Sequence, residues 1–132
     1  MTMNRLAIAA LALATSIGAS AAYAAATDYE FQPVVVEVKN APDSDLLVRL
    51  VHKLSGKPVT DALIVKTRLD MSPDDMEAMT AKHSKAEPAG PPGVYRFKAD
   101  LTMAGQWALK LMAKIQGEHE TVIGTVVFKA GE

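Results

Sequence analysis

Cysteine is absent from this chain of 132 residues. Its absence excludes disulfides, thiolate metal ligands, dithiol redox chemistry and a cysteine nucleophile. Aromatic residues are also scarce, with one tryptophan, three tyrosines and three phenylalanines. A domain of this composition must be stabilised by its hydrophobic core, and any soft metal must be held by methionine and histidine.

An excess of charge of either sign is also lacking, since the chain has 14 basic and 15 acidic residues. No basic face interleaved with aromatic residues occurs in the sequence, so nucleic acid is excluded as a partner. A Ser-His-Asp spacing, an H-E-x-x-H motif and a phosphate-binding loop are missing as well. We therefore expect a binding protein and not an enzyme.

The N-terminus has the three parts of an export signal. A short positive region, 1–5, precedes an apolar region, 6–19, and an A-x-A cleavage site at 22–24. This order predicts a signal peptide, 1–24, that is removed on export to the periplasm. The apolar region is too short and too rich in alanine for a transmembrane helix, which needs about 20 strongly apolar residues. The remaining residues, 25–132, have the length of one small domain, which we expect to be soluble after cleavage.

Short alternating segments dominate the rest of the chain. The clearest is 106–116, in which we expect Trp107 to be the central core aromatic. Met112 lies on the other side of that segment, between Lys110 and Lys114, either as a partner contact or as an isolated exposed apolar residue. Turn-forming clusters separate the segments and predict an all-β, immunoglobulin-like antiparallel β-sandwich. The predicted strands are 34–38, 46–54, 59–69, 94–100, 106–116 and 121–128.

One segment between the third and fourth predicted strands favours a helix. Ser72 is a helix-capping residue type, and Pro73 suits the first helical position. Asp75 completes an S-x-x-[DE] capping box with Ser72. These residues predict one short helix over about 72–83, in a connection of the sandwich.

The predicted helix would bring soft-metal ligands together. Met76, Met79 and His83 follow one another at spacings of three and four residues, which share one helix face. Met71, at the exit of the third strand, and Met103, at the entry to the fifth, are expected at the same end of the sandwich. Thioethers and imidazole favour Cu(I), so all five residues are candidate copper ligands. The alternative is that the methionines fill the core, because methionine adapts to irregular apolar gaps.

Four motifs occur in an order that resembles a known family. They are Gly56-Lys57-Pro58-Val59-Thr60-Asp61-Ala62, Asp70-Met71-Ser72-Pro73 with Met76 and Met79, Gly93-Val94-Tyr95-Arg96-Phe97, and Asp100-Leu101-Thr102-Met103-Ala104-Gly105-Gln106-Trp107. Together they resemble the YtkA-like and FixH-like group of small exported domains, over about 46–128. The resemblance implies an immunoglobulin-like sandwich, exported or tethered to a membrane, that is associated with heavy-metal efflux or copper delivery.

The resemblance also implies a site and a partner. The motif methionines correspond to Met71, Met76, Met79 and Met103, whereas His83 is an addition of this sequence. A cleavable-looking signal replaces the persistent anchor of FixH-like members, which argues against a fixed membrane subunit. We expect an exported copper-handling domain, a Cu(I) chaperone or efflux accessory, whose partner is a membrane efflux pump or a copper protein. The alternative is a metal-free accessory module of an efflux or oxidase-assembly complex, whose methionines form a soft partner surface.

Overall fold

Residues 26–132 are the part of the chain that the computed structural model describes. The predicted signal peptide, 1–24, lies outside them. The described residues form two β-sheets around one hydrophobic core, which confirms the prediction of an all-β sandwich. None of the helices within them is long and apolar enough to cross a membrane. The strands are β1 (Tyr29–Pro33), β2 (Glu37–Lys39), β3 (Ser44–His52), β4 (Ala62–Met71), β5 (Met76–Thr80), β6 (Glu87–Pro88), β7 (Val94–Ala99), β8 (Gly105–Ile115) and β9 (Val122–Gly131).

The strands are divided between a sheet of four and a sheet of five. The first sheet has the order β1-β3-β7-β6, and the second has the order β2-β9-β8-β4-β5. Neighbouring strands are antiparallel, except that β2 runs parallel to β9. The predicted first strand, 34–38, is wrong in its bounds, because β1 ends before it and the chain then changes sheets to enter β2. A run of β-branched residues favours extended backbone but does not determine which residues pair.

The core lies between the two sheets and follows the predicted alternation. On β3 the inward residues Leu46, Val48 and Leu50 are buried. On β8 the inward positions are all buried, as the alternation of the sequence predicts. These β8 residues are Trp107, Leu109, Leu111, Ala113 and Ile115.

The predicted helix over 72–83 is wrong. Ser72–Asp74 form a single 3-10 turn, and β5 starts two residues later. Asp75 has a φ of 60°, a left-handed conformation that aspartate tolerates but that cannot continue a right-handed helix. The following residues pair with the end of β4, so sheet hydrogen bonds replace the helix. A helix of this length is marginal by itself, which is why tertiary pairing overrides its capping signals.

After β5 the chain crosses from the second sheet to the first. The Ala81 N–H donates to the Leu69 carbonyl of β4 at 3.0 Å, whereas the Ser84 N–H donates to the Lys98 carbonyl of β7 at 2.8 Å. The segment 81–84 therefore bridges the two sheets along one side of the sandwich. This crossing decides where the histidine of the predicted site, His83, is placed.

Candidate functional site

A buried carboxylate fixes the turn that follows β4. Asp70 has no solvent exposure, and its Oδ2 lies 2.7 Å from Arg68 Nε and 3.1 Å from Lys110 Nζ. The Ser72 N–H donates to Asp70 Oδ1 at 3.0 Å. Burial raises the pKa of Asp70, but hydrogen bonds from Ser72, Arg68 and Lys110 outweigh it and hold that pKa well below its ordinary value. Asp70 is therefore ionised and ties the turn to both β4 and β8.

A second aspartate ties the same turn to the start of β8. Asp74 Oδ2 accepts a hydrogen bond from the Gln106 N–H at 2.8 Å. Gly105 has a φ of +135°, and a Cβ at this position would lie 2.6 Å from both Asp74 Oδ2 and Met71 Cε. Glycine is thus required here by its backbone conformation and by the close approach of two side chains. The Met71 methyl group consequently lies against the backbone of Gly105.

Met71 and Met76 are direct partners across the β4–β5 pair. Residues that face each other in this way share one side of the sheet, with Cβ atoms about 4.5–5.5 Å apart. Met71 has no solvent exposure and belongs to the core, whereas Met76 is 38% exposed. The pair therefore extends from the core to the surface at one end of the sandwich.

Met103 lies at the same end, two residues before Gly105. Its carbonyl accepts a hydrogen bond from Trp107 Nε1 at 3.0 Å, and its half-buried side chain packs against the core. Because the Met71 methyl group touches Gly105, the structure brings Met71, Met76 and Met103 into one region. We refer to these three residues as the methionine end.

Met79 lies on the same edge strand but outside the direct Met71–Met76 pair. The register of β4 with β5 shifts between Asp70, which pairs with Thr80, and Met71. Met79 is 37% exposed, and every residue of β5 is exposed. The helix predicted from the sequence would place Met76 and Met79 on one face, and that arrangement is lost with the helix.

His83 occupies a different part of the molecule. Its Nε2 lies 2.6 Å from Thr67 Oγ1, and its ring packs edge-on against Phe97 with 6.3 Å between the ring centroids. Thr67 precedes Met71 by four residues on β4, a distance of roughly 13 Å along a strand. The structure thus separates His83 from the methionine end and places it between the two sheets.

Among residues 26–132 no group of three or more histidine, aspartate or glutamate side chains is placed so that it could hold a metal ion. The donors that the methionine end offers are neutral thioethers. Two aspartates that shape this end, Asp70 and Asp74, are not among the residues predicted for the site from the sequence. An Asp-x-Ser sequence before a proline is a turn signal that could have indicated the first of them.

The family of the chain follows from its sequence match. A family model described as YtkA-like matches residues 23–112, which is more than half of the chain. The chain belongs to the YtkA-like family. The match includes all five predicted ligands and ends within β8.

Comparisons with curated proteins and with solved structures do not assign a function to the chain. No curated protein matches this YtkA-like chain. Among solved structures, the ZirS C-terminal domain is similar to the chain with a TM-score of 0.48 and 8% sequence identity, over 95% of this chain and 88% of that chain.

Two of the motifs quoted above have structural explanations in this YtkA-like chain. In the last motif, Leu101 and Trp107 are buried, Met103 supplies a carbonyl acceptor and Gly105 admits the Met71 methyl group. In the first motif, the Val59 carbonyl accepts a hydrogen bond from the hydroxyl group of Tyr95 at 2.9 Å. The motif residues therefore build the sandwich and its methionine end together.

Proposed function

We propose that this YtkA-like chain is an exported periplasmic domain that binds Cu(I) through the methionine end together with Met79, and passes it to a membrane efflux pump or a copper protein. The observation that carries the proposal is the pairing of buried Met71 with exposed Met76, at the Gly105 contact that Met103 precedes by two residues. Thioethers are soft ligands, and the chain offers no thiolate that would compete with them. The proposed role is binding and delivery, with no catalytic step.

The side chains of the proposed ligands differ in solvent exposure, and this difference gives an incoming metal ion a route into the site. Met76 and Met79 stand on an edge strand in which every residue is exposed, so an incoming ion meets their thioethers first. Met71 and Met103 lie deeper: the Met71 methyl group packs on Gly105, and the backbone carbonyl of Met103 is held by Trp107 Nε1. Rigid inner ligands and accessible outer ligands suit a site that must also release its ion. His83 is left out of the proposed ligand set because its Nε2 contacts Thr67.

A second candidate function is a metal-free accessory module of a membrane efflux or oxidase-assembly complex. The observation that favours it is the complete burial of Met71, whose methyl group packs on Gly105 as a core side chain does. In this alternative Met71 and Met103 fill the end of the core. Met76 and Met79 then form an adaptable surface for a protein partner.

One titration separates the two functions. Residues 26–132, which contain all of the strands and the core described above, are titrated with Cu(I) under anaerobic reducing conditions and, in separate samples without reductant, with Ag(I), Cu(II) and Zn(II), each against a competing chelator. We expect Cu(I) and Ag(I) to bind more tightly than Zn(II), because the donors are thioethers. Equal or tighter binding of Zn(II) would indicate a site of histidines and carboxylates. Absence of binding by every ion would favour the accessory module.

A further inference from the structure

The outer surface of the second sheet surrounds Met112 with positive charge. Lys66 on β4 is the register partner of Met112 on β8, and Arg68 is the partner of Lys110. Lys110 and Lys114 lie two residues to either side of Met112 on the same strand. Since the β8 residues between them are buried in the core, alternation directs all of these side chains outward.

Part of this charge is neutralised within the sheet, and part is not. Asp70 pairs with Arg68 and Lys110, and Glu77 Oε1 lies 3.8 Å from Lys110 Nζ. Lys66 and Lys114 are exposed, and neither forms an ion pair with any residue in the described range. The surface is therefore positive, although the chain as a whole has a net charge of −1.

Exposed aliphatic side chains share this surface. Ile123 on β9 is the register partner of Met112 and is 70% exposed, and Leu63 on β4 is the partner of Lys114 and is 64% exposed. A shallow depression of about 270 Å³ has Met112 and Ile123 in its lining, together with Lys66, and no acidic side chain lines it. Basic and aliphatic groups are thus presented side by side.

We propose that this surface, which we call the basic face, binds anionic phospholipid headgroups at a membrane. It consists of Lys66, Arg68, Lys110, Met112, Lys114 and Ile123. Lysine ammonium groups complement lipid phosphates, and a cation near an anionic membrane contributes about a fivefold increase in binding constant. The aliphatic side chains can enter the boundary between headgroups and acyl chains, as the apolar side of an interfacial element does.

The composition of the basic face favours a lipid surface over a protein partner. Protein interfaces are depleted in lysine and enriched in aromatic residues at their centres. The basic face has three lysines among its six residues and no aromatic residue. The face also excludes the methionine end, so its membrane binding is independent of the metal proposal.

Vesicle sedimentation tests the proposal. Residues 26–132 are mixed, without metal, with vesicles of phosphatidylcholine alone or of equal parts phosphatidylcholine and phosphatidylglycerol. We expect binding to the mixed vesicles, little binding to phosphatidylcholine alone, and a loss of binding as salt is raised. The double variant Lys66→Gln, Lys114→Gln should bind about thirtyfold more weakly, and exposed positions of this kind leave folding intact.

A matched control removes the same charge from another surface. Lys53 and Lys57 lie in the exposed connection between β3 and β4, away from the basic face. The double variant Lys53→Gln, Lys57→Gln should bind the mixed vesicles as the unchanged protein does. Equal losses in both double variants would overturn the proposal by showing an effect of net charge alone. Absence of binding to the mixed vesicles would also overturn it and would assign the basic face to an acidic protein partner.

Discussion

Two neighbouring regions of this chain use methionine in opposite ways. At the end of β4, Met71 is fully buried beside Gly105. It directly follows Asp70, whose carboxylate forms an ion pair with Arg68. On β5, only a few residues later, Met76 and Met79 are exposed together with every other residue of the strand. The residue type is the same, and the difference comes from the position of each strand in the sheet.

An edge strand has a neighbour on one side, whereas β4 has β8 on one side and β5 on the other over its last residues. The end of β4 is therefore covered, and its methionine is held in one place by packing. The side chains of β5 keep access to solvent and remain available to a metal or a partner. The buried region therefore determines the shape of the candidate site, and the exposed strand determines how accessible the site is.

The largest expected effect comes from removing the aromatic ring that supports the buried region. Trp107→Ala deletes a fully buried side chain and the hydrogen bond from its Nε1 to the Met103 carbonyl. We expect a loss of about 3–5 kcal/mol in the free energy of unfolding, a large share of the stability of a small domain. Urea denaturation followed by circular dichroism measures this loss. A variant with an unchanged unfolding midpoint would show that Trp107 is not part of the core in solution.

A smaller loss of stability is expected from weakening the ion pairs of Asp70, which hold the turn after β4. Asp70→Asn keeps the shape of the side chain but removes the charge that Arg68 and Lys110 face. Both cations are partly exposed, so we expect a loss of about 1–2 kcal/mol at neutral pH, below that of a fully buried pair. Urea denaturation of the variant and the unchanged protein measures it.

The same variant should change how stability depends on pH. The pKa of Asp70 is lowered in the folded state, so its contribution is complete above the unfolded pKa of about 3.9 and is lost as the pH falls further toward the folded value. The unchanged protein should therefore lose stability on acidification below about pH 4, and Asp70→Asn should lose less. An identical dependence of stability on pH in the two proteins would contradict the stabilising role of an ionised Asp70.

The two regions also differ in how well their structure can be predicted from the sequence. The alternation of β8 correctly predicts that its inward residues from Trp107 to Ile115 are buried, because a long strand with one apolar side has a single favourable register; Ala108, on the other side, is buried as well. The segment after Asp70 carries capping signals for a helix, and its real structure depends on Asp70, Asp74 and the edge of β4. The Asp-x-Ser turn signal could have indicated the contact of Asp70 with Ser72, whereas Asp74 accepts its hydrogen bond from Gln106, 32 residues away, and no local pattern contains information on that bond.

The candidate site, like the fold, could be predicted from the sequence only in part. Composition points to methionine as the donor, and the positions of Met71 and Met103 at the ends of strands place them together. The place of His83 was not predictable, because it depends on the crossing of 81–84 from one sheet to the other. A wrong element type thus changes which side chains are neighbours.

The smallest effect on stability, and the sharpest test of the comparison, comes from the exposed strand. Met76→Leu combined with Met79→Leu conserves volume at two partly exposed positions, so the free energy of unfolding should change by less than about 1 kcal/mol. If the two thioethers bind the ion, its affinity should fall about tenfold or more, equivalent to about 1.4 kcal/mol, because leucine offers no lone pair. Competitive titration with Cu(I) measures this, and Met112→Leu, outside the methionine end, is the matched control that should leave the affinity unchanged. A folded double variant with unchanged Cu(I) affinity would contradict a ligand role for β5 and would leave its methionines as a surface for a partner.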